Sequence, residues 1–132
     1  MMLNNELEKI EYTTKQMLGY LLVAFDNVKK CKKRDLSVYI GEIIKLLKIV
    51  DKKDILKTID IRLIANFPVC YLVNSNELMA FALVVFVRLL KSNKEVTKRD
   101  IIRELEVQMM FFSTRTILRE CKRVLKNIEI KL

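Results

Sequence analysis

At 132 residues, 52% of them hydrophobic, the chain is long enough to close a core of its own and too apolar for disorder. Two glycines and one proline leave few positions for tight hairpins, which disfavours a many-stranded fold and favours helices. A net charge of +9 points to an anionic partner, nucleic acid or an acidic membrane surface, unless the lysines only solvate helix faces.

Taken in chain order, Asn4–Val28 has apolar residues at Leu7, Ile10, Met17, Leu18, Leu21, Leu22, Phe25 and Val28, near a 3.6-residue period. This predicts a helix capped by Asn4 or Asn5, with Thr13, Thr14 and Gly19 as places where it weakens. Lys29–Arg34, KKCKKR, follows as five cations around Cys31; it reads equally as a solvated linker or as a surface for phosphates. Asp35 caps a second helix whose wide apolar stripe is Leu36, Tyr39, Ile40, Ile43, Ile44, Leu47 and Val50. Asp51 caps a third, with Ile55, Leu56, Ile59, Leu63 and Ile64 inward. Pro68 ends it near Asn66, because the residue before a proline avoids the α region. Val69–Val73, VCYLV, has no evident strand partner and is expected as a buried connection.

Leu78–Leu90, LMAFALVVFVRLL, carries one charge, Arg88, and is apolar on every side of the helix it forms. Such a helix is buried, and this one is too short to cross a bilayer. Asn74, Ser75 and Asn76 offer caps, and Glu77 suits the positive end of the helix dipole. The segment 75–91 is therefore the expected centre of a single compact all-α domain of five to six helices. Thr97–Asp100 then caps a short helix with Ile101, Ile102 and Leu105 inward. Val107–Phe112, VQMMFF, is expected as an apolar connection. Ser113 or Thr114 caps a last helix running to about Ile128.

That last helix has two faces. Ile117, Leu118, Cys121, Val124, Leu125 and Ile128 follow a core spacing. Arg115, Arg119, Lys122 and Lys126 recur on another face, with Arg123 beside them. Residues 113–132 hold six cations against two acids, so four of the nine net charges are concentrated here. A short helix, a connection and a longer helix with a basic outer stripe is a helix-turn-helix-like arrangement, whose second helix enters the major groove of DNA.

The run NSNELMAFALVVFVRLL, then TKRDIIRELEV, then STRTILRECKRVL, resembles the second cyclin-like repeat of general transcription factor B, of the archaeal and eukaryotic type. Thr97–Ile101 is similar to the family's "T-x-R-E-I" helix start, and Thr116-Ile117 to part of its "T-I-R" recognition core. RDLSVYIGEIIKLLKI and DKKDILKTIDIRLIANF resemble the opening helices of the repeat. The resemblance implies a cyclin-like repeat over about 34–128, with an extra N-terminal helix and basic linker over 1–33. It also implies a transcription-factor-B-like module without the zinc ribbon, suited by its Lys- and Ile-rich composition to a viral or archaeal genome. The family's arginine after T-I is Leu118 here, so its base contacts do not transfer.

Double-stranded DNA is the leading expected partner and transcription regulation the leading function. Arg115 is placed to reach a base edge; Lys98, Arg99, Arg119, Lys122, Arg123 and Lys126 are placed for phosphates. The alternative is a helical protein-interaction module, either a cyclin-like adaptor or a viral Bcl-2-like inhibitor of a host protein. On that reading Met109, Met110, Phe111 and Phe112 form a docking patch; otherwise they are core. Nothing resembles a phosphate-cradling glycine loop or a nucleophile with its base, so no enzyme is expected. With no histidine and only Cys31, Cys70 and Cys121, scattered singly, neither a zinc site nor a disulfide framework is expected, and no cofactor. Reduced thiols and a polar, acidic N-terminus fit a cytoplasmic protein, or a nuclear one in a eukaryotic host, that is not secreted.

Overall fold

The computed structural model describes residues 10–30, 35–69, 71–92 and 95–127, and these are mostly helical. A short strand β1 (Glu11–Thr13) leads into α1 (Thr14–Val28), followed by α2 (Leu36–Ile49) and the one-turn helix α3 (Lys52–Ile55). A 3₁₀ turn (Leu56–Thr58) and another single turn, α4 (Ile61–Ile64), precede strand β2 (Leu72–Asn74). Then come α5 (Ser75–Lys91), α6 (Lys98–Phe111) and α7 (Thr114–Asn127).

The expected central helix is α5, and its N-terminus shows why it starts where it does. The Asn74 side chain accepts from the Glu77 amide, and the Glu77 carboxylate accepts from the Asn74 amide, each at 2.8 Å. Two backbone donors that the first turn leaves unpaired are thereby satisfied. Every residue from Leu78 to Val87 is buried. Phe86 stacks on Tyr39 of α2 with ring centroids 4.5 Å apart.

Burial, however, has two centres. In α1, Met17, Leu18, Leu21 and Leu22 are as deeply buried as the middle of α5. Helices α2 and α6 each pack on both α1 and α5, whereas α7 packs on α5 and α3 on α1. The helix expected as an addition before residue 34 is thus part of the same core as the helices that follow.

Six expectations change. The helix that ends at Val28 begins at Thr14, after a strand; the expected caps Asn4 and Asn5 lie outside the described residues. Residues Glu11–Thr13, expected in that helix, form a strand pairing antiparallel with Leu72–Asn74, in the register Tyr12 opposite Val73. Val69–Val73 is accordingly not a buried connection: Val73 is buried, but Val69 and Leu72 are exposed. Thr13, read as a weak point, is the α1 N-cap, in a reciprocal box with Gln16. Pairing between segments some 60 residues apart outweighs the local helix pattern, as cross-strand contacts do.

The third expected helix is split. Thr58 Oγ1 donates to the Ile55 carbonyl at 2.8 Å, and Asp60 accepts from the Arg62 amide at 3.0 Å, starting a new turn. Such local side-chain bonds compete with continued helix. Finally, Val107–Phe111 is not a connection but the second half of α6. Ile101, Leu105, Gln108 and Met109 are buried at helical spacing, and no glycine or proline interrupts them. The link to α7 is only Phe112 and Ser113. Among the described residues no helix is long and apolar enough to cross a membrane.

Candidate nucleic-acid interface

Ser113 caps helix α7, its Oγ accepting from the Thr116 amide at 3.3 Å. From there the helical period sorts its residues into faces. Ile117, Cys121 and Val124 are buried, on the helix that packs against α5. Leu118, expected in the core stripe, is exposed, because one residue on from Ile117 it turns about 100° away from that contact. Ile128 and the Leu125 side chain lie outside the described residues. Burial raises the Cys121 thiol above its usual range, which makes this cysteine a packing residue and a poor nucleophile.

On the face opposite the buried one, Arg115, Arg119, Lys122 and Lys126 are all exposed, and none of the four has an ion pair among the described residues. Positions four, three and four residues apart put these cations on one stripe with no acid between them. Arg123 is placed differently. It donates through Nε to Glu120 at 3.0 Å and through Nη2 to the same carboxylate. That bonding holds the Glu120 carboxyl below its usual range. Arg88 of α5 approaches Glu120 at 3.8 Å and Glu104 at 3.9 Å, so one acid each from α6 and α7 meets a single cation of α5.

Lys98 and Arg99 open α6, but their roles diverge. Lys98 pairs with Asp26 of α1 at 2.8 Å, tying α6 to α1. Arg99 is exposed and has no such pair among the described residues. Two of the amides at this helix end, those of Thr97 and Asp100, are used by the reciprocal cap of these residues. Of the basic linker 29–34, only Lys29 and Lys30 are described; the Lys29 ammonium sits 4.6 Å over the Phe25 ring.

The four residues of the alternative docking patch separate. Met109 is 7% exposed and Phe112 is half-buried, whereas Met110 and Phe111 are each 75% exposed. Phe111 lines a cleft of about 360 Å³ with Arg88, Val107, Gln108 and Phe112. Gln108 is buried; its amide donates to Glu104 at 2.8 Å while its Oε1 has no partner. Met109→Ser is therefore expected to lose about 2–4 kcal/mol, while Phe111→Ser shifts stability by no more than about 0.5 kcal/mol. Chemical denaturation of the two variants measures both.

A larger cleft, about 750 Å³, lies between the β1 region and the α2–α3 turn. Its polar groups already serve the fold: the Tyr20 hydroxyl donates to the Val50 carbonyl at 2.6 Å, and Lys52 donates to the Glu11 carbonyl at 2.7 Å. Among the described residues no group of three or more Cys, Asp or Glu side chains is placed to hold a metal. No protein-family model, curated protein sequence or solved structure matches this chain.

Proposed function

We propose that the chain is a DNA-binding transcription regulator that lays α7 in the major groove, a module similar to one cyclin-like repeat of transcription factor B. The observation supporting this is the stripe of Arg115, Arg119, Lys122 and Lys126, exposed and without ion pairs on the face opposite the buried one. Four cations spaced along one helix face match the phosphates lining a groove, where affinity comes from counterion release. Arg115, in the first turn, is the one positioned to reach a guanine edge. Two groups expected at phosphates serve less well, since Arg123 is held by Glu120 and Lys98 by Asp26.

Duplex binding, followed by fluorescence anisotropy over a salt series, tests the proposal. About four to six phosphate contacts are expected, each adding about −0.9 to the slope of log K against log salt. Lys122→Ala lowers that slope in magnitude by about one on every sequence, whereas Arg115→Ala costs about 1–3 kcal/mol on a preferred site alone. No binding by the wild-type chain at about 50 mM salt overturns the reading.

A protein-interaction module is the second reading, favoured by the exposed pair Met110 and Phe111 at the end of α6. If duplex binding is absent while Phe111→Ser abolishes capture of a protein partner, that reading takes its place.

A further inference from the structure

Away from α7, the turn α4 and the first half of α6 enclose a cleft of about 350 Å³ lined by Arg62, Leu63, Arg99, Ile102, Arg103 and Glu106. Three of these six residues are arginines, against Glu106 in the lining and Asp60 bonded to Arg62. Arg99 and Arg103 stand one turn apart on the exposed face of α6, and neither has an ion pair among the described residues. Like charges at that spacing oppose helix formation unless an anion sits between them. Arg62 faces them from α4. Asp60 accepts from its Nε and its Nη2, both at 3.1 Å, which holds the guanidinium in place and leaves Nη1 for a further acceptor.

We infer that this cleft is a phosphate site, formed by the unpaired Arg99 and Arg103 with the Asp60-held Arg62 at its edge, for the backbone of the nucleic acid that α7 engages. The choice of ligand rests on the nucleic-acid reading; the geometry owes nothing to α7. Guanidinium forks suit phosphate oxygens because two parallel N–H donors meet two acceptors. The Thr97–Asp100 cap occupies two of the amides at the α6 end, and the arginine side chains supply the charge of the cleft. Leu63 and Ile102 give the cleft an apolar lining, against which a sugar packs while its phosphate meets the arginines.

The same phosphate chemistry is offered by a nucleic-acid strand and by a free phosphate compound, and two probes distinguish them. The first is a duplex of about 20 base pairs, titrated over salt against the Arg99→Gln/Arg103→Gln double variant, Arg103→Lys and Arg119→Gln/Lys122→Gln. The cleft double variant is expected to weaken duplex binding by about tenfold and to flatten the salt slope by about two contacts. Arg103→Lys, which keeps the charge and loses the fork, is expected to weaken binding by a smaller factor with the slope unchanged. The second probe is inorganic pyrophosphate, followed by NMR of the arginine Nε–H signals.

A loss confined to the cleft variant, with the α7 variant neutral, supports the cleft and removes α7 from the reading. A loss confined to the α7 variant overturns the cleft and leaves the reading standing. Pyrophosphate shifts at Arg99 and Arg103 without duplex binding keep the phosphate site and overturn the nucleic-acid source. Wild-type duplex affinity and slope in the cleft variant, with no pyrophosphate shift, overturn the proposal entirely. All three arginines are exposed, so circular dichroism of the variants is expected to match the wild type.

Discussion

Phe86→Ala is expected to lower the unfolding free energy by about 3–5 kcal/mol, a large share of what a domain of this size possesses. The ring is 1% exposed, and it stacks on Tyr39, which itself lies parallel to Phe25 of α1 at 6.4 Å. That aromatic column joins the two buried helices through α2, so truncation leaves a cavity at the place where the halves of the core meet. Packed neighbours on three elements do not collapse into such a space. Equilibrium urea unfolding measures the loss, and a value below about 1 kcal/mol overturns the placement of Phe86 at the junction.

Ile55→Ala carries the second large effect, about 2–5 kcal/mol. Ile55 is 0% exposed although it belongs to a helix of a single turn. One turn has almost no helical stability of its own, since nucleation is unfavourable and only propagation repays it. The segment from Lys52 to Ile64 is therefore held in place by what Ile55 and Ile64 bury. Removing the Ile55 side chain is expected to loosen this segment first. Hydrogen exchange separates the outcomes: amides of α3 and the following 3₁₀ turn gain exchange well beyond those of α5. Uniform exchange across both elements would show instead that Ile55 acts on the whole core.

The helices were legible wherever pattern and cap agreed. Asp35, Asn74 and Thr97 each cap the helix that their sequence context predicts, and their side chains bond the amides three residues on. The apolar run from Leu78 to Val87 could be buried in only one way, as a helix enclosed on all sides. The basic stripe of α7 was legible for the same reason, since helical spacing alone puts Arg115, Arg119, Lys122 and Lys126 on one face.

Other features arose from contacts that no local window contains. Tyr12 became a strand residue because Val73 lies opposite it, far away in the chain. Met109 and Phe111, two neighbours of one apolar run, parted into core and surface because α6 turns through about 200° between them. The cleft arginines show the limit best: Arg99 and Arg103 share a helix face by spacing, but Arg62 joins them only where α4 meets α6. Composition, capping and periodicity thus determined a mostly helical chain with α5 inside and a basic α7 outside, since each acts within a few residues. Tertiary packing alone decided the strand pair, the second buried helix and the arginine cleft, because each depends on which distant surfaces exclude water together.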